Sequence, residues 1–427
     1  MAFYTYGYGF YKQYKAERTL LEYQNLGIND YSVEADMIRR KSMRNHTTGA
    51  NATAAYTTNR LQLLMGGAYS YYTCPHWGEL DWVDGMDKAD IGGKWYDNDV
   101  NKHDANLFAK ATWQAAKGLN LYADLQYRYV SYEAWGVNDN FDWNTMQMQP
   151  INVDETYNFF NPRLGLSYNI NTQHNLYASV AVAQKEPTRS DFTDRYMFAA
   201  DQTMPKSEQL IDYEFGYKYT AKKLALGVNL YYMDYKDQLV PTGMVNDGSD
   251  ALNINVPDSY RRGIELTAQW NTTKWLTLGG SATFSDNKIL DYIDMLAESP
   301  TYGKNLGKMT IAYSPKSMAS IFAEFNVKNF EASLRTQYVG KQYLTNNQIE
   351  ALTLDKYCVT NLDLAYTLNT LSENSIRFGV TIYNLFNAKY CSNGYGYSYM
   401  WDNVRYDEAY YFPQAPLHAL ANITFKF

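Results

Sequence analysis

Two stretches decide how this chain folds: Ser375-Ile376-Arg377-Phe378-Gly379-Val380-Thr381-Ile382-Tyr383 and the closing Asn422-Ile423-Thr424-Phe425-Lys426-Phe427. In the first, Ile376, Phe378, Val380 and Ile382 alternate with Arg377, Gly379, Thr381 and Tyr383. Successive strand side chains point to opposite faces, so this is a strand with one apolar face and one polar or small face. In the second, Ile423, Phe425 and Phe427 share a face. A water-exposed terminal strand of that kind is an aggregation hazard. Against hydrocarbon it is stable, and the pair reads as the last hairpin of a transmembrane β-barrel.

The same signature recurs upstream. Leu119, Leu121, Ala123, Leu125 and Tyr127 alternate with Asn120, Tyr122, Asp124, Gln126 and Arg128, which puts Asp124, Gln126 and Arg128 on a wetted face. Leu224, Leu226, Val228, Leu230 and Tyr232 form another lipid-facing row. Phe330–Tyr338 alternates through Glu331, Ser333, Arg335 and Gln337. Short turns such as Thr58-Asn59-Arg60, Lys117-Gly118, Asn171-Thr172-Gln173 and Asn271-Thr272-Thr273 separate the strands at one end. Long connections, at roughly 12–46, 74–104, 134–156, 187–206, 239–254, 288–307, 344–356 and 391–410, separate them at the other. The count comes to about sixteen strands, with Tyr31 to Met43 placed inside a folded outer loop. The fold class is an all-β, antiparallel transmembrane barrel.

Composition agrees. The chain has 42 Tyr, 9 Trp and 18 Phe among 427 residues, which suits aromatic girdles at both bilayer edges and aromatic outer loops. The mean hydropathy of -0.49 excludes a helical membrane bundle, whereas a barrel needs only every second strand residue to be apolar. A net charge of -7 argues against a nucleic-acid partner. Cys74, Cys358 and Cys391 show no CxxC spacing, and the five histidines are scattered. Cys74-Pro75-His76 reads as an incidental loop triplet, and the acidic run from Glu79 to Asp99 as a solvated loop face. No GxSxG context marks a nucleophile, so no enzyme, metal site or cofactor is expected. Gly66-Gly67 and Gly279-Gly280 read as bends or bulges in the wall.

Several segments resemble one family. Asn384-Leu385-Phe386-Asn387-Ala388-Lys389-Tyr390 is similar to the N-L-F-(D/N)-x-x-Y segment near the end of TonB-dependent outer-membrane receptors. Phe425 and Phe427 resemble the terminal signature read by the barrel-assembly machinery. Glu208 followed by Tyr213-Glu214-Phe215-Gly216-Tyr217-Lys218, the run Leu230–Gln238, Arg262-Gly263-Ile264-Glu265, and Lys185–Arg189 match further family strands in order. The resemblance implies a Gram-negative outer-membrane location, a barrel of about 22 strands and an amino-terminal plug with a TonB box. Residues 1–427 are then an amino-terminally truncated barrel domain without the plug, consistent with the absence of a signal peptide after Met1. The implied function is TonB-driven uptake of a scarce nutrient complex, a ferric siderophore, haem or cobalamin. Implied partners are outer-membrane lipid, the nutrient complex, TonB through the missing region, and the assembly machinery through Phe427. Candidate ligand contacts are Tyr395, Tyr397, Tyr399, Trp401 and Arg405 in the last loop, with Arg189 and Arg195 facing an anionic ligand. Glu331, Arg335, Asp124 and Arg128 would line a wetted wall or meet a plug. The alternative is a self-contained passive porin of about sixteen strands.

Overall fold

A computed structural model describes the chain except for residues 27–31, 88–90, 144, 195–203, 246–250, 296–298 and 370–373. The chain divides into two compact units, residues 1–111 with 124–162, and 112–123 with 163–427. Among the described residues, eighteen strands belong to one antiparallel sheet.

The first unit opens with β1 (Ala2–Thr19), β2 (Glu34–Thr57), β3 (Leu61–Thr73) and the short β4 (His76–Val83). β2 pairs with β1 from Glu34 to Ala50, and on its other side with β3 below and with β4 above. β5 (Tyr96–Ala116), β6 (Leu119–Asp142) and β7 (Gln147–Asn169) contribute to both units. In the second unit, β8 (His174–Lys185), β9 (Glu208–Thr220), β10 (Leu224–Val245), β11 (Ala251–Asn271) and β12 (Leu276–Ile289) form an unbroken meander. It continues through the two-residue β13 (Met309–Thr310), then β14 (Ser317–Val327) and β15 (Phe330–Val339). The pair β16 (Gln342–Tyr343) and β17 (Thr353–Leu354) stands apart. β18 (Tyr357–Asn369) and β19 (Ser375–Tyr383) resume the sheet, and β20 (Cys391–Trp401) and β21 (Val404–Pro413) form a separate hairpin. β22 (His418–Lys426) closes the chain against β19.

Side-chain parity follows the sequence pattern. On β10, Leu226, Leu230 and Tyr232 are exposed, and so are Phe215 on β9, opposite Leu230, and Leu266 on β11, opposite Val228 of the same row. Water would penalise such a sheet face, so it is the hydrocarbon face. The opposite face is polar and paired: Arg128 makes a two-pronged contact with Asp104 (2.6–3.2 Å), Lys110 meets Asp124 at 3.2 Å, and Arg377 meets Glu331 at 2.6 Å. The buried apolar clusters sit at the loop-bearing strand ends: Leu20, Tyr23, Met37, Val83 and Trp95 in the first unit, and Leu344, Leu352 and Leu354 in the second. No described helix is long and apolar enough to cross a membrane.

The short turns are stitched by their own side chains. Thr58 Oγ1 accepts from the amides of Arg60 and Leu61, Asn171 Oδ1 from Gln173 and His174, and Thr273 Oγ1 from Trp275 and Leu276. These side chains take over backbone donors that a tight reversal would leave unpaired.

Among the described residues, sixteen strands of the main sheet are longer than eight residues, which matches the expected count, but several boundaries move. Residues 34–43, expected within a loop, are the upper part of β2 and pair with β1 (Tyr31 lies outside the described residues). Arg39, Arg40 and Lys41 hid that strand, because three consecutive cations break any alternation. Each is met by a neighbour: Arg39 donates a hydrogen bond to Gln13, Arg40 pairs with Glu79 and Asp81, and Lys41 pairs with Asp139. Glu79 and Asp81 therefore stand on β4 as strand partners and not on a solvated loop face; Asp81 also takes Lys12 at 2.7 Å. The sequence pattern reads Lys308 to Asn326 as one strand, but it is broken between β13 and β14, where Pro315 lacks an amide and Tyr313 has φ +53°. The paired glycines are not bulges, since register runs unbroken through Gly66-Gly67 and Gly279-Gly280. They make room for rings: a Cβ at Gly66 would lie 2.8 Å from Phe108, and one at Gly279 would overlap Phe322.

Candidate functional site

The residues 391–410, expected as an aromatic loop, form a hairpin above the sheet. Its turn, Asp402-Asn403, has φ +49° and +58° at the two central positions, the type I′ geometry that two-residue hairpins favour. The pairing places Tyr397 opposite Glu408, Tyr399 opposite Tyr406, and Tyr395 opposite Tyr410. Tyr395 and Tyr410 stack at 4.9 Å, Tyr399 and Tyr406 at 5.3 Å, and Tyr397 lies 6.1 Å from Tyr410.

Glu408 is the hub. Its carboxylate accepts from the hydroxyls of Tyr410 (2.7 Å), Tyr399 (2.8 Å) and Tyr397 (3.0 Å). Three donated bonds favour the charged form, so the Glu408 carboxyl sits below its ordinary range. The Tyr410 phenol is pushed up, first by its bond to Tyr397 and then by Glu408. Arg405 donates from Nε to Asp407 (2.9 Å) and from Nη2 to Ser398 (3.1 Å), and Ser398 donates to Asp407 at 2.5 Å. Nearby Tyr292 is buried, which raises its pKa to about 12, an effect that Arg405 opposes.

The candidates therefore separate. Tyr395, Tyr397, Tyr399, Trp401 and Arg405 are brought together on one hairpin. Tyr397, Tyr399 and Arg405 spend their polar atoms inside it, and the rings of Tyr397 and Tyr399 each stack on a hairpin tyrosine on one side. Trp401, at the tip and 70% exposed, is the most open of the five. Arg189 is elsewhere, at the start of the short helix α1 (Arg189–Thr193), whose Thr188 cap is held by Asp191. Arg195 lies outside the described residues. The sequence reading missed Glu408, Asp407 and Tyr410 as organisers. The signal was there: an Asp-Asn pair flanked by alternating tyrosines.

The family-like segments acquire physical reasons. Asn384 is buried; its Nδ2 donates to the carbonyls of Ala388 (2.9 Å) and Ala415 (3.2 Å), and its Oδ1 accepts from the Ala388 amide (2.8 Å). Its own amide donates to Asn361 Oδ1 at 3.0 Å. One side chain thus locks the exit of β19 to the entry of β22. Asn384 and Asn387 both have positive φ, +51° and +53°, which asparagine tolerates. Gly216 lies beneath the ring of Tyr177, and Gly263 beneath Tyr231. Tyr177 then donates to Asn229 (3.0 Å), which donates to Glu265 (3.3 Å). Arg262-Gly263-Ile264-Glu265 and Tyr213–Lys218 are the glycine floors and the carboxylate end of one inner-wall network. Cys74 Sγ lies 3.2 Å from His76 Nε2, but among the described residues no three His, Cys, Asp or Glu side chains gather as metal ligands.

A sheet apolar on one face, ion-paired on the other and crowned by folded hairpins defines an outer-membrane-type β-barrel protein. A family model described as TonB dependent receptor-like, beta-barrel matches residues 2–385, and the chain belongs to that family, whose members are outer-membrane receptors of Gram-negative bacteria. Solved structures agree on the fold. The closed form of the ferric-catecholate import receptor Fiu from E. coli is 16% identical with a TM-score of 0.61, over 92% of this chain and 56% of that one. The ferric yersiniabactin uptake receptor FyuA from Yersinia pestis is 15% identical with a TM-score of 0.64, over 100% and 59%. The copper transporter OprC is 16% identical with a TM-score of 0.67, over 91% and 56%. The chain thus spans between 56% and 59% of the length of these three proteins. No curated protein matches it in sequence.

Proposed function

We propose that this chain is the barrel part of a receptor that takes up a scarce, bulky nutrient complex, a ferric siderophore before haem or cobalamin. The observation that carries the reading is the aromatic hairpin β20–β21 set on a family-typical wall. Its ring faces offer contact area at low conformational cost, and Trp401 stands open at its tip. Import receptors for ferric chelates among the similar structures support the cargo class. A passive porin is not favoured, because the family match extends over most of the chain.

In this reading residues 1–427 form one barrel domain, and the plug and TonB box belong to sequence outside it. TonB supplies energy through that region, and Phe427, 97% exposed, serves recognition by the assembly machinery. Arg189 and Arg195 would attract an anionic chelate, and Arg405 would present its charge from the hairpin. The test is Tyr397→Ala with Trp401→Ala in the receptor carrying its plug, with ferric-chelate affinity measured on cells of matched surface display. A tenfold or greater loss supports the reading; unchanged affinity for every chelate tried removes the hairpin from the capture surface.

A further inference from the structure

At the loop-bearing end of the second unit a cleft of about 490 Å³ opens between three connections. They are the segment entering β18 with Lys356, the segment leaving β19 with Lys389 and Tyr390, and the end of β21 with Tyr411 and Pro413 running into the link to β22 at Gln414. The walls are tied to one another. Tyr390 stacks on Tyr357 at 4.6 Å, the Gln414 amide donates to the Tyr390 carbonyl (3.0 Å), and Tyr411 donates to the Thr353 carbonyl (3.1 Å). Asn384 fastens the second wall to the third through Ala388 and Ala415.

The cleft carries a net positive charge. Lys356 and Lys389 both line it, both are exposed, and among the described residues neither has an ion-pair or hydrogen-bond partner. The cleft's one carboxylate, Asp355, also acts on Lys341, which is itself paired with Glu350. Immediately beside the cleft, Phe386 is 74% exposed and Leu417 49% exposed. Leu417 continues the parity of Ala421, Ile423 and Phe425, the lipid-facing row of β22. A cationic recess thus adjoins exposed apolar side chains at the rim of the bilayer-facing wall.

We propose that this cleft seats the phosphate-bearing headgroup of a membrane lipid, held by Lys356 and Lys389, with its acyl chains running past Phe386 and Leu417. Interfacial basic pockets gain from anionic headgroups, and an aromatic rim favours the same level of the membrane. A soluble phosphate would use the lysines but gain nothing from the apolar neighbours, which is why the lipid is the occupant. The assignment concerns the wall and holds whatever solute the receptor captures.

The test uses the full chain folded in neutral detergent and scores dioctanoyl phosphatidate adducts by native mass spectrometry. Dioctanoylglycerol and inorganic phosphate serve as the two partial ligands. K356Q with K389Q is expected to weaken phosphatidate retention about thirtyfold, and either single change about fivefold. K356R with K389R retains the lipid, and Lys328→Gln, at the opposite strand end, leaves retention unchanged. Retention by the double glutamine variant at the parent level overturns the proposal. So does displacement of the lipid by inorganic phosphate, which would mark a soluble-anion site, or equal retention of dioctanoylglycerol, which would mark apolar adsorption only.

Discussion

Leu334 and Ser333 are neighbours on β15, yet an arginine at one should behave in the opposite sense to an arginine at the other. Leu334 is on the hydrocarbon face, between Ala323 on β14 and Leu362 on β18. It lies four residues beyond Phe330, about 13 Å along the strand and about 10 Å in depth at a tilt of about 40°. In an apolar band about 25 Å tall that is close to the middle, where an arginine costs about 2–4 kcal/mol. The folded-to-unfolded ratio should fall about thirty- to nine-hundredfold. Ser333 faces the other way, between Glu324 and Asp363, and Asp363 already accepts a hydrogen bond from Thr381 at 2.6 Å. An arginine there meets two carboxylates, and cross-strand opposite charges contribute about 0.2–1 kcal/mol in its favour. The assay is urea unfolding in phosphatidylcholine vesicles, read by the mobility difference between folded and unfolded barrel on electrophoresis. Equal destabilisation by Leu334→Arg and Ser333→Arg would refute the assignment of faces on β15.

Asn384→Ala strips partners from two carbonyls and one amide in a buried position and should cost about 1–3 kcal/mol per group left unpaired, seen as loss of the folded electrophoretic band. Gly263→Ala drives a Cβ to 2.5 Å from the Phe284 carbonyl and 2.6 Å from the Tyr231 hydroxyl. It should destabilise by about 1–3 kcal/mol, and Tyr231→Leu should rescue it only in part because the backbone clash remains. Tyrosinate absorbance at 295 nm should show phenols ionising after the bulk near pH 10, and Tyr410→Phe should diminish that late phase while the buried Tyr292 still contributes to it. At the acid end Glu408, lowered in the folded state, contributes stability above its ordinary value of 4.5 that is lost as pH falls through the folded value; Glu408→Gln should flatten that acid loss in proteolysis of the hairpin.

Alternation made the wall legible before any coordinates, because a lipid face admits few polar residues and each strand shows its parity locally. The β10 row from Leu224 to Tyr232 and the β6 row from Leu119 to Arg128 are read from alternation alone. Above the membrane that rule lapses. Both faces of a strand may there be polar, as in Arg39-Arg40-Lys41, and the pairing is fixed by partners such as Glu79 and Asp139 that stand far off in sequence. The aromatic hairpin stands out in the sequence by its tyrosines but not as a structure, since its Asp402-Asn403 turn reads as loop. The roles of Gly216 and Gly263 were illegible for a different reason: what covers them, Tyr177 and Tyr231, lies on the preceding strands in the sheet.

Everything above depends on hydrocarbon touching every second residue of the long strands. The most direct measurement is a spin-label scan of consecutive positions from Leu224 to Tyr235 in lipid vesicles, comparing collision with lipid-soluble oxygen and with a water-soluble nickel chelate. The account predicts oxygen maxima at the even positions, Leu226, Val228, Leu230 and Tyr232, with nickel maxima between them. A periodicity near 3.6 residues, or oxygen access that does not alternate, would contradict it.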